Sequence, residues 1–390
     1  MKIFRKINFC EAPKSVTEDI WLQWVINIFG LRNHALTFPS YFRNILSPFS
    51  LFLHVSFLYS AVVLVLHKQA FSTKRTLFDI ISVSLSVVIW QQIQMQSNKI
   101  CDFCTELKKL PGHLVLLNVK EKRAFQTAIL ISFLFPSMVS VALISAVVSN
   151  DLTEYKNVWL FGKSIFRNKI LDTLVAFICM LAFFSSKFLI PLLSTVVYSF
   201  YSYILSNAIR NQNENIVKAV NTKILPIQIK MYYRIVECCR LFDNCGKVTI
   251  FLLIFMYCCT LYTALGHLLR ESTRIPGVIL MIEGIFTTFS FVLFAVSLLI
   301  FASEIPKAMF ETRKEFQRLY RYYLLEEVSI SGKHLKLIKA LRDTEPFYLT
   351  AWDFFRIDKG LILSLFGAAL SFCLLIMQLK KVNLDTMGNL

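Results

Sequence analysis

Seven stretches of this chain are apolar, carry few or no charges and are long enough for a helix to cross a lipid bilayer. An α-helix rises about 1.5 Å per residue, so roughly 20 apolar residues span a bilayer core of about 30 Å. Only 17% of the residues are charged, against about a quarter in soluble domains. The sequence therefore predicts an all-α, polytopic membrane protein with seven transmembrane helices. The predicted spans are 49–66, 77–95, 125–148, 170–190 or beyond, 249–269, 278–302 and 360–379.

The segments around these spans suggest four regions. Residues 1–48 form an N-terminal segment without a cleavable signal, and 17–31 are typical of a short amphipathic helix. Residues 49–302 hold the first six spans. In residues 303–359, the stretches 304–328 and 333–342 show a helical pattern, the alternative being a solvated loop, and Pro346 is expected to break the helix. Residues 360–390 contain the seventh span and a short tail.

The distribution of basic residues predicts the orientation. The predicted spans are separated by connecting segments. The N-terminal segment and every second segment after it carry 30 Lys and Arg in total, whereas the segments between them carry 11. Cytoplasmic segments carry the excess of positive charge in membrane proteins. The N-terminus is therefore predicted to be cytoplasmic and the C-terminus extracellular, which is opposite to a G-protein-coupled receptor. The long inner connections are helical in pattern, and the apolar character of the fourth span continues past Pro191.

Three acids fall inside the predicted spans, where charges are costly and often functional. With this orientation, Asp79, Asp172 and Glu283 lie in the outer parts of the second, fourth and sixth helices. Acids and aromatic residues facing an outward cleft can bind a polar or cationic small molecule. The alternative is that the acids are hydrated residues at helix ends. The candidate ligand-binding residues are Asp79, Asp172, Glu283, His267, Tyr262 and Trp159.

Other charged and polar residues point to no further chemistry. Lys187 is predicted to reach the inner interface by snorkelling. The net charge of +17 is expected to face anionic lipid rather than nucleic acid. No catalytic motif or metal-ligand spacing is found, so no enzyme activity, metal or cofactor is expected.

The last span has one face of small or polar residues. At about 100° per residue, Gly360, Ser364, Gly367, Ser371 and Gln378 share this face. Small residues at such spacing let helices pack closely. The alternative is that the face lines a water-filled pore.

The end of this span carries a nine-residue motif: Ser371 and Phe372, five apolar residues, then Gln378 and Leu379. It resembles the motif that closes the last helix of insect gustatory receptors, which reads Thr-Tyr, five hydrophobic residues, Gln-Phe. The register is intact, but only the Gln is identical. Residues 352–358 and Gly367–Ala368 also look like that family's approach to the same helix.

The resemblance implies a chemoreceptor that is a ligand-gated, non-selective cation channel. It implies a homo- or heterotetramer in the plasma membrane of a sensory neuron, opened by a small-molecule tastant. The first six helices would sense the ligand, residues 303–359 would form a cytoplasmic anchor, and the seventh helix would line the pore. Gln378 and Leu379 would form its constriction, with Ser371, Gly367 and Ser364 below them. The rival interpretations are a metabotropic receptor and a secondary transporter; the latter usually shows internal repeats and paired midplane charges, which are not evident here.

Overall fold

The computed structural model describes residues 48–66, 73–115, 117–150, 156, 158–161, 168–220, 223–268, 277–325 and 332–361, and then 363, 364, 367, 368, 371 and 378. The predicted amphipathic helix at 17–31 lies outside these residues. Helices α1 to α5 are Pro48–Leu66, Thr73–Met95, Ser97–Lys108, Gly112–Val115 and Val119–Ser149. Helices α6 to α11 are Lys169–Phe184, Ile190–Ala219, Leu225–Leu268, Gly277–Ser290, Val296–Leu325 and Gly332–Asp343. The π-helical segment Ser185–Leu189 joins α6 to α7, Phe291–Ala295 joins α9 to α10, and strands β1 (Thr350–Ala351) and β2 (Phe355–Arg356) form an antiparallel hairpin.

Within the described residues, six helices are long and apolar enough to cross a membrane. They match the first six predicted spans, so the all-α, multi-pass class is confirmed. The seventh predicted span is described only in part, and the backbone is helical at its described residues. Seven spans and the orientation of the termini therefore stay predictions. The six spans are Phe49–Leu66, Thr76–Met95, Val119–Ser149, Lys169–Ala219, Leu225–Ala264 and Met281–Leu325.

Three of these six spans are much longer than a bilayer is thick: Lys169–Ala219, Leu225–Ala264 and Met281–Leu325. Lys169–Ala219 has 51 residues, or about 75 Å of helix, and α8 has 44 residues. The prediction that the fourth span continues past Pro191 is confirmed, and the π-helical segment ends two residues before this proline. The connection between the fourth and fifth spans, predicted to be an inner one, is largely helical as its pattern predicts, because α7 continues to Ala219 and α8 begins at Leu225. Polar residues lower the hydropathy of these extensions without ending the helices.

Helix α7 packs against both α8 and α10. Gly246 sets the distance between α7 and α8. The ring of Tyr198 stacks on Phe242 with 4.5 Å between centroids. A Cβ atom on Gly246 would lie 2.9 Å from Cε2 of Tyr198, which is closer than real contacts allow. Gly246 therefore lets the ring lie against the backbone of α8.

The region before the last span is largely helical, as the pattern predicts. Helix α10 continues to Leu325 and α11 follows, while residues 344–349, including Pro346, are not helical. The buried apolar residues of α10 and α11 recur every three to four positions, as expected of a helix with one packed face. The buried apolar residues are Ile305, Ala308, Met309 and Phe316 of α10 and Ile338 and Leu341 of α11.

Candidate functional site

The side chains of Asp79 and Lys187 form a buried ion pair. Lys187 Nζ donates a 2.7 Å hydrogen bond to Asp79 Oδ1, and the two side chains are 0% and 1% exposed. The prediction that Lys187 snorkels to the inner interface is therefore wrong. That prediction counted residues from the start of the fourth span. A 51-residue helix is longer than the bilayer, so counting from its first residue does not give a residue's depth.

The π-helical segment that carries Lys187 is held by α2 at two points. Ser86 lies two turns after Asp79 on α2, and its hydroxyl donates to the carbonyl oxygen of Lys187 at 3.2 Å. The Lys187 ammonium also lies 5.8 Å from the ring centroid of Phe183 and 5.5 Å from that of Phe188. Cations at such distances are attracted to aromatic faces. The ammonium therefore has both a carboxylate and an aromatic environment inside the bundle.

Trp159 belongs to the same cluster. Its ring is buried 5.1 Å from that of Phe183, and its carbonyl oxygen accepts a 2.8 Å hydrogen bond from the Tyr59 hydroxyl. Phe188 in turn contacts Phe135, with 5.3 Å between centroids. Phe135 lies 6.0 Å from Phe286 of α9. An aromatic chain therefore connects Lys187 with α9, the helix that carries Glu283.

The remaining predicted residues lie around this chain. Asp172 is in the first turn of α6, and its carboxylate lies 3.4 Å from Lys156 Nζ. Tyr262 contacts Phe78, the neighbour of Asp79, with 3.9 Å between ring centroids. Glu283 is buried on α9, and its carbonyl oxygen accepts from the Thr287 hydroxyl at 2.6 Å. The His267 side chain lies outside the described residues.

All three acids are buried at 1% exposure, so they are not hydrated residues at helix ends. Asp79 and Asp172 each face a lysine. Sequence reasoning missed Lys156 and the pairing of Lys187. Apart from Asp172, Lys187 is the only charged residue between positions 170 and 205, and that isolation was the available sequence signal.

Every described residue of the last span after Leu361 is exposed, including the apolar Leu363 at 76%. Ser364, Gly367, Ser371 and Gln378 are all exposed, and a Cβ atom on Gly367 would meet no atom within 4 Å. At these residues the face does not pack against helices of its own chain. Leu379 lies outside the described residues.

An acidic residue of α10 connects the start of this span with the long helices. Glu304 pairs with Arg210 of α7 and lies 3.5 Å from Lys307 and 3.7 Å from Lys359. Lys359 is the first helical residue before the apolar run. Charges from α7, α10 and the last span therefore meet around one carboxylate.

Comparison with solved structures gives the same fold in two structures of the insect olfactory receptor OR5 from Machilis hrabei. For one, the TM-score is 0.57 at 13% sequence identity, covering 92% of this chain and 98% of that chain. For the other, in complex with eugenol, the TM-score is 0.60 at 12% identity, with the same coverage. No protein-family model and no curated protein matches the sequence. The chain has the fold of these insect olfactory receptor structures, so the resemblance found in the sequence is confirmed at the level of fold alone.

Proposed function

We propose that this chain is a gustatory-type chemoreceptor: a ligand-gated, non-selective cation channel opened by a small molecule from the extracellular side. The observation that carries the proposal is the fold shared with OR5 over 92% of this chain and 98% of that one. One of the OR5 structures contains eugenol, so a relative in fold binds a small organic molecule. The C-terminal motif favours the gustatory branch.

The pore is formed by the last span in a tetramer of this chain or of this chain with related subunits. The small and polar face of Ser364, Gly367, Ser371 and Gln378 supports this arrangement, because an apolar helix with one polar face needs water or a neighbouring chain. Hydroxyls and backbone carbonyls without fixed charge suit weak cation selectivity. Gln378 and Leu379 form the constriction, where apolar side chains close the pore by excluding water.

The ligand binds near the cluster formed by Asp79, Lys187 and Trp159. Because Asp79 and Asp172 are each paired with a lysine, this region carries compensated charge. A neutral ligand with hydroxyl groups or an aromatic ring can bind there without breaking an ion pair. At Asp79 or Asp172, a cation would have to compete with a lysine for the carboxylate. The proposal therefore favours neutral polar or aromatic tastants over cationic ones.

Reconstitution of the purified chain in a planar bilayer tests the proposed function. A panel of sugars, plant alkaloids and eugenol is first applied to cells that express this chain alone, and active compounds are then applied to the bilayer. We expect cation currents that begin on addition of an active compound without any G protein. Responses in cells that disappear in the purified system would instead indicate a metabotropic receptor.

A further inference from the structure

The hairpin of residues 350–356, which precedes the last span, is bound to a stripe of α8. The stripe consists of Asp243, Lys247 and Phe251, which lie four residues apart and therefore on one helix face. Asp243 Oδ1 accepts a 2.7 Å hydrogen bond from the Thr350 amide. The Thr350 hydroxyl also donates to both carboxylate oxygens, at 3.3 and 3.1 Å. The first strand of the hairpin is thus held through its backbone and its side chain.

The tip of the hairpin is bound one turn further along α8. The carbonyl oxygen of Lys247 accepts a 3.0 Å hydrogen bond from the Trp352 amide, and Lys247 Nζ lies 2.5 Å from Asp353 Oδ2. The ring of Phe251 lies 5.2 Å from Trp352 and 5.9 Å from Phe354. Three successive turns of α8 therefore contact the same short hairpin.

The hairpin has a backbone that needs this support. Trp352 and Asp353 have φ angles of 50° and 60°, in the left-handed region that side chains other than glycine disfavour. Such residues persist where surrounding contacts fix them, and they cluster at functional sites. The Ile357 amide donates to the Leu349 carbonyl at 2.9 Å and closes the base of the hairpin.

The last span starts directly after this bound hairpin. Asp358 Oδ1 accepts a 3.0 Å hydrogen bond from the Leu361 amide and so caps the first turn. Lys359 pairs with Glu304 of α10 at 3.7 Å. Only four residues lie between Asp353, which is bound to α8, and Asp358, so the start of the span has little freedom relative to α8.

Helix α8 also reaches the candidate ligand cluster. Tyr262, which contacts Phe78 beside Asp79, lies 19 residues after Asp243 on the same helix. That separation corresponds to about 28 Å of helix axis. One continuous helix therefore carries both a candidate ligand-binding residue and the hairpin contacts.

We propose that Asp243 and Lys247 are positioning residues for gating: through the hairpin they make the last span follow α8. A displacement of α8 at the Tyr262 end is thereby transmitted to the start of the last span, and so to the face of Ser364, Ser371 and Gln378. This inference rests on the proposed function, since it assigns the coupling between its ligand site and its pore. Allosteric coupling of this kind changes equilibria by about 5- to 150-fold.

Charge reversal tests whether the contact holds the hairpin. The variants are Lys247→Glu, Asp353→Lys and the double exchange Lys247→Glu with Asp353→Lys. Thr350→Val, which removes the hydroxyl contacts with Asp243 and with Asp353 Oδ1, is the second variant if a charge-reversal variant fails to fold. Arg240→Glu is the matched control, because Arg240 lies on the same helix and pairs at 3.3 Å with Glu237, both 61% exposed.

Hydrogen–deuterium exchange of the peptide covering residues 347–357 is measured in detergent without ligand. We expect the single reversals to raise the exchange rate at least about tenfold, and the double exchange to restore protection. Arg240→Glu is expected to leave the rate unchanged. Equal protection in all variants would overturn the proposal at its structural step.

The second measurement asks whether the hairpin positions the last span. Ser371→Cys is introduced into the unmodified chain and into each variant. These proteins are treated with a charged, water-soluble methanethiosulfonate reagent, and sodium current through the liposome-reconstituted channels is recorded without agonist. We expect the modification rate and the current to change at least about fivefold in Lys247→Glu and Thr350→Val, with recovery in the double exchange. The same chain without the Ser371→Cys change gives the background of the native cysteines.

The outcomes separate this inference from the proposed function. A hairpin that exchanges faster while modification and current stay within about twofold is a structural contact only, and the positioning role is then wrong. In that case agonist-gated current in the unmodified chain still supports a channel. If the thiol at position 371 stays unmodified in every variant and no panel compound produces a current, the chain is not a channel lined by its last span. That result would contradict both the proposed function and the coupling.

Discussion

Lys187 and Asp79 are 108 positions apart in the sequence, yet their side chains form a 2.7 Å ion pair from which solvent is excluded. Lys187 belongs to the π-helical segment between α6 and α7, and Asp79 lies near the start of α2. π-helical turns are rare and frequently occur at functional sites. The pair therefore fixes the position of this turn against α2 and balances the buried charge in the candidate ligand cluster.

Removing one partner of this pair is expected to destabilise the fold. Breaking a buried ion pair leaves an uncompensated charge and costs about 3–5 kcal/mol, whereas replacing both partners is often neutral. Lys187→Met and Asp79→Asn should each lower the Tm in detergent, and the double variant should regain most of the loss. Lys109→Met is the control, since Lys109 and Glu106 form an exposed pair. Equal Tm values for single and double variants would contradict a charge-balancing role.

Glu283→Gln is expected to change agonist sensitivity more than surface expression. The substitution keeps the size of the buried side chain on α9 but removes its charge, which alters the polarity of the cluster next to Phe286. Dose–response curves and surface labelling measure the two effects in the same cells. Glu315→Gln, on the charged part of α10, is the control. Unaltered sensitivity in Glu283→Gln, Asp79→Asn and Asp172→Asn at normal expression would place the ligand elsewhere.

The N-terminus is expected to be cytoplasmic and the C-terminus extracellular. The physical reason is the excess of 30 over 11 basic residues on alternate segments. A tag after Leu390 should bind antibody on intact cells, and a tag before Met1 should bind only after permeabilisation. A tag inserted after Asp151, in a connection predicted to be outside, provides the positive control. The reverse labelling would remove both the orientation and the pore assignment.

Cysteine substitution along the last span is expected to show one reactive face. Cysteines replacing Ser364, Ser371 and Gln378 should react with a charged thiol reagent, faster with agonist, and the reaction should reduce the current. Cysteines replacing Phe366 and Met377, on the apolar side of the helical wheel, should react little. Uniform reactivity around the helix, or none on the small-residue face, would show that this span does not line the pore.

Hydropathy predicted the first six spans well, because a helix that crosses a bilayer needs about 20 predominantly apolar residues. It did not predict that Lys187 pairs with Asp79, because the pairing depends on how two helices far apart in sequence pack together. It also gave no indication that residues 350–356 form a hairpin. The left-handed turn is made by Trp352 and Asp353, without the glycine that usually reveals such a turn, and contacts with α8 hold it.

The distance along the chain between Asp79 and Lys187 has a consequence for biosynthesis. A ribosome completes α2 about a hundred residues before it makes the π-helical segment, so the Asp79 carboxylate enters the insertion machinery without its lysine. Its place near the start of α2 lets it remain hydrated during that interval, at a lower cost than a charge in mid-bilayer would incur. Asp243 likewise precedes Thr350 by 107 residues. The buried ion pair is thus complete once Lys187 has been made, whereas the contacts that seat the last span against α8 form only after Thr350 has been made.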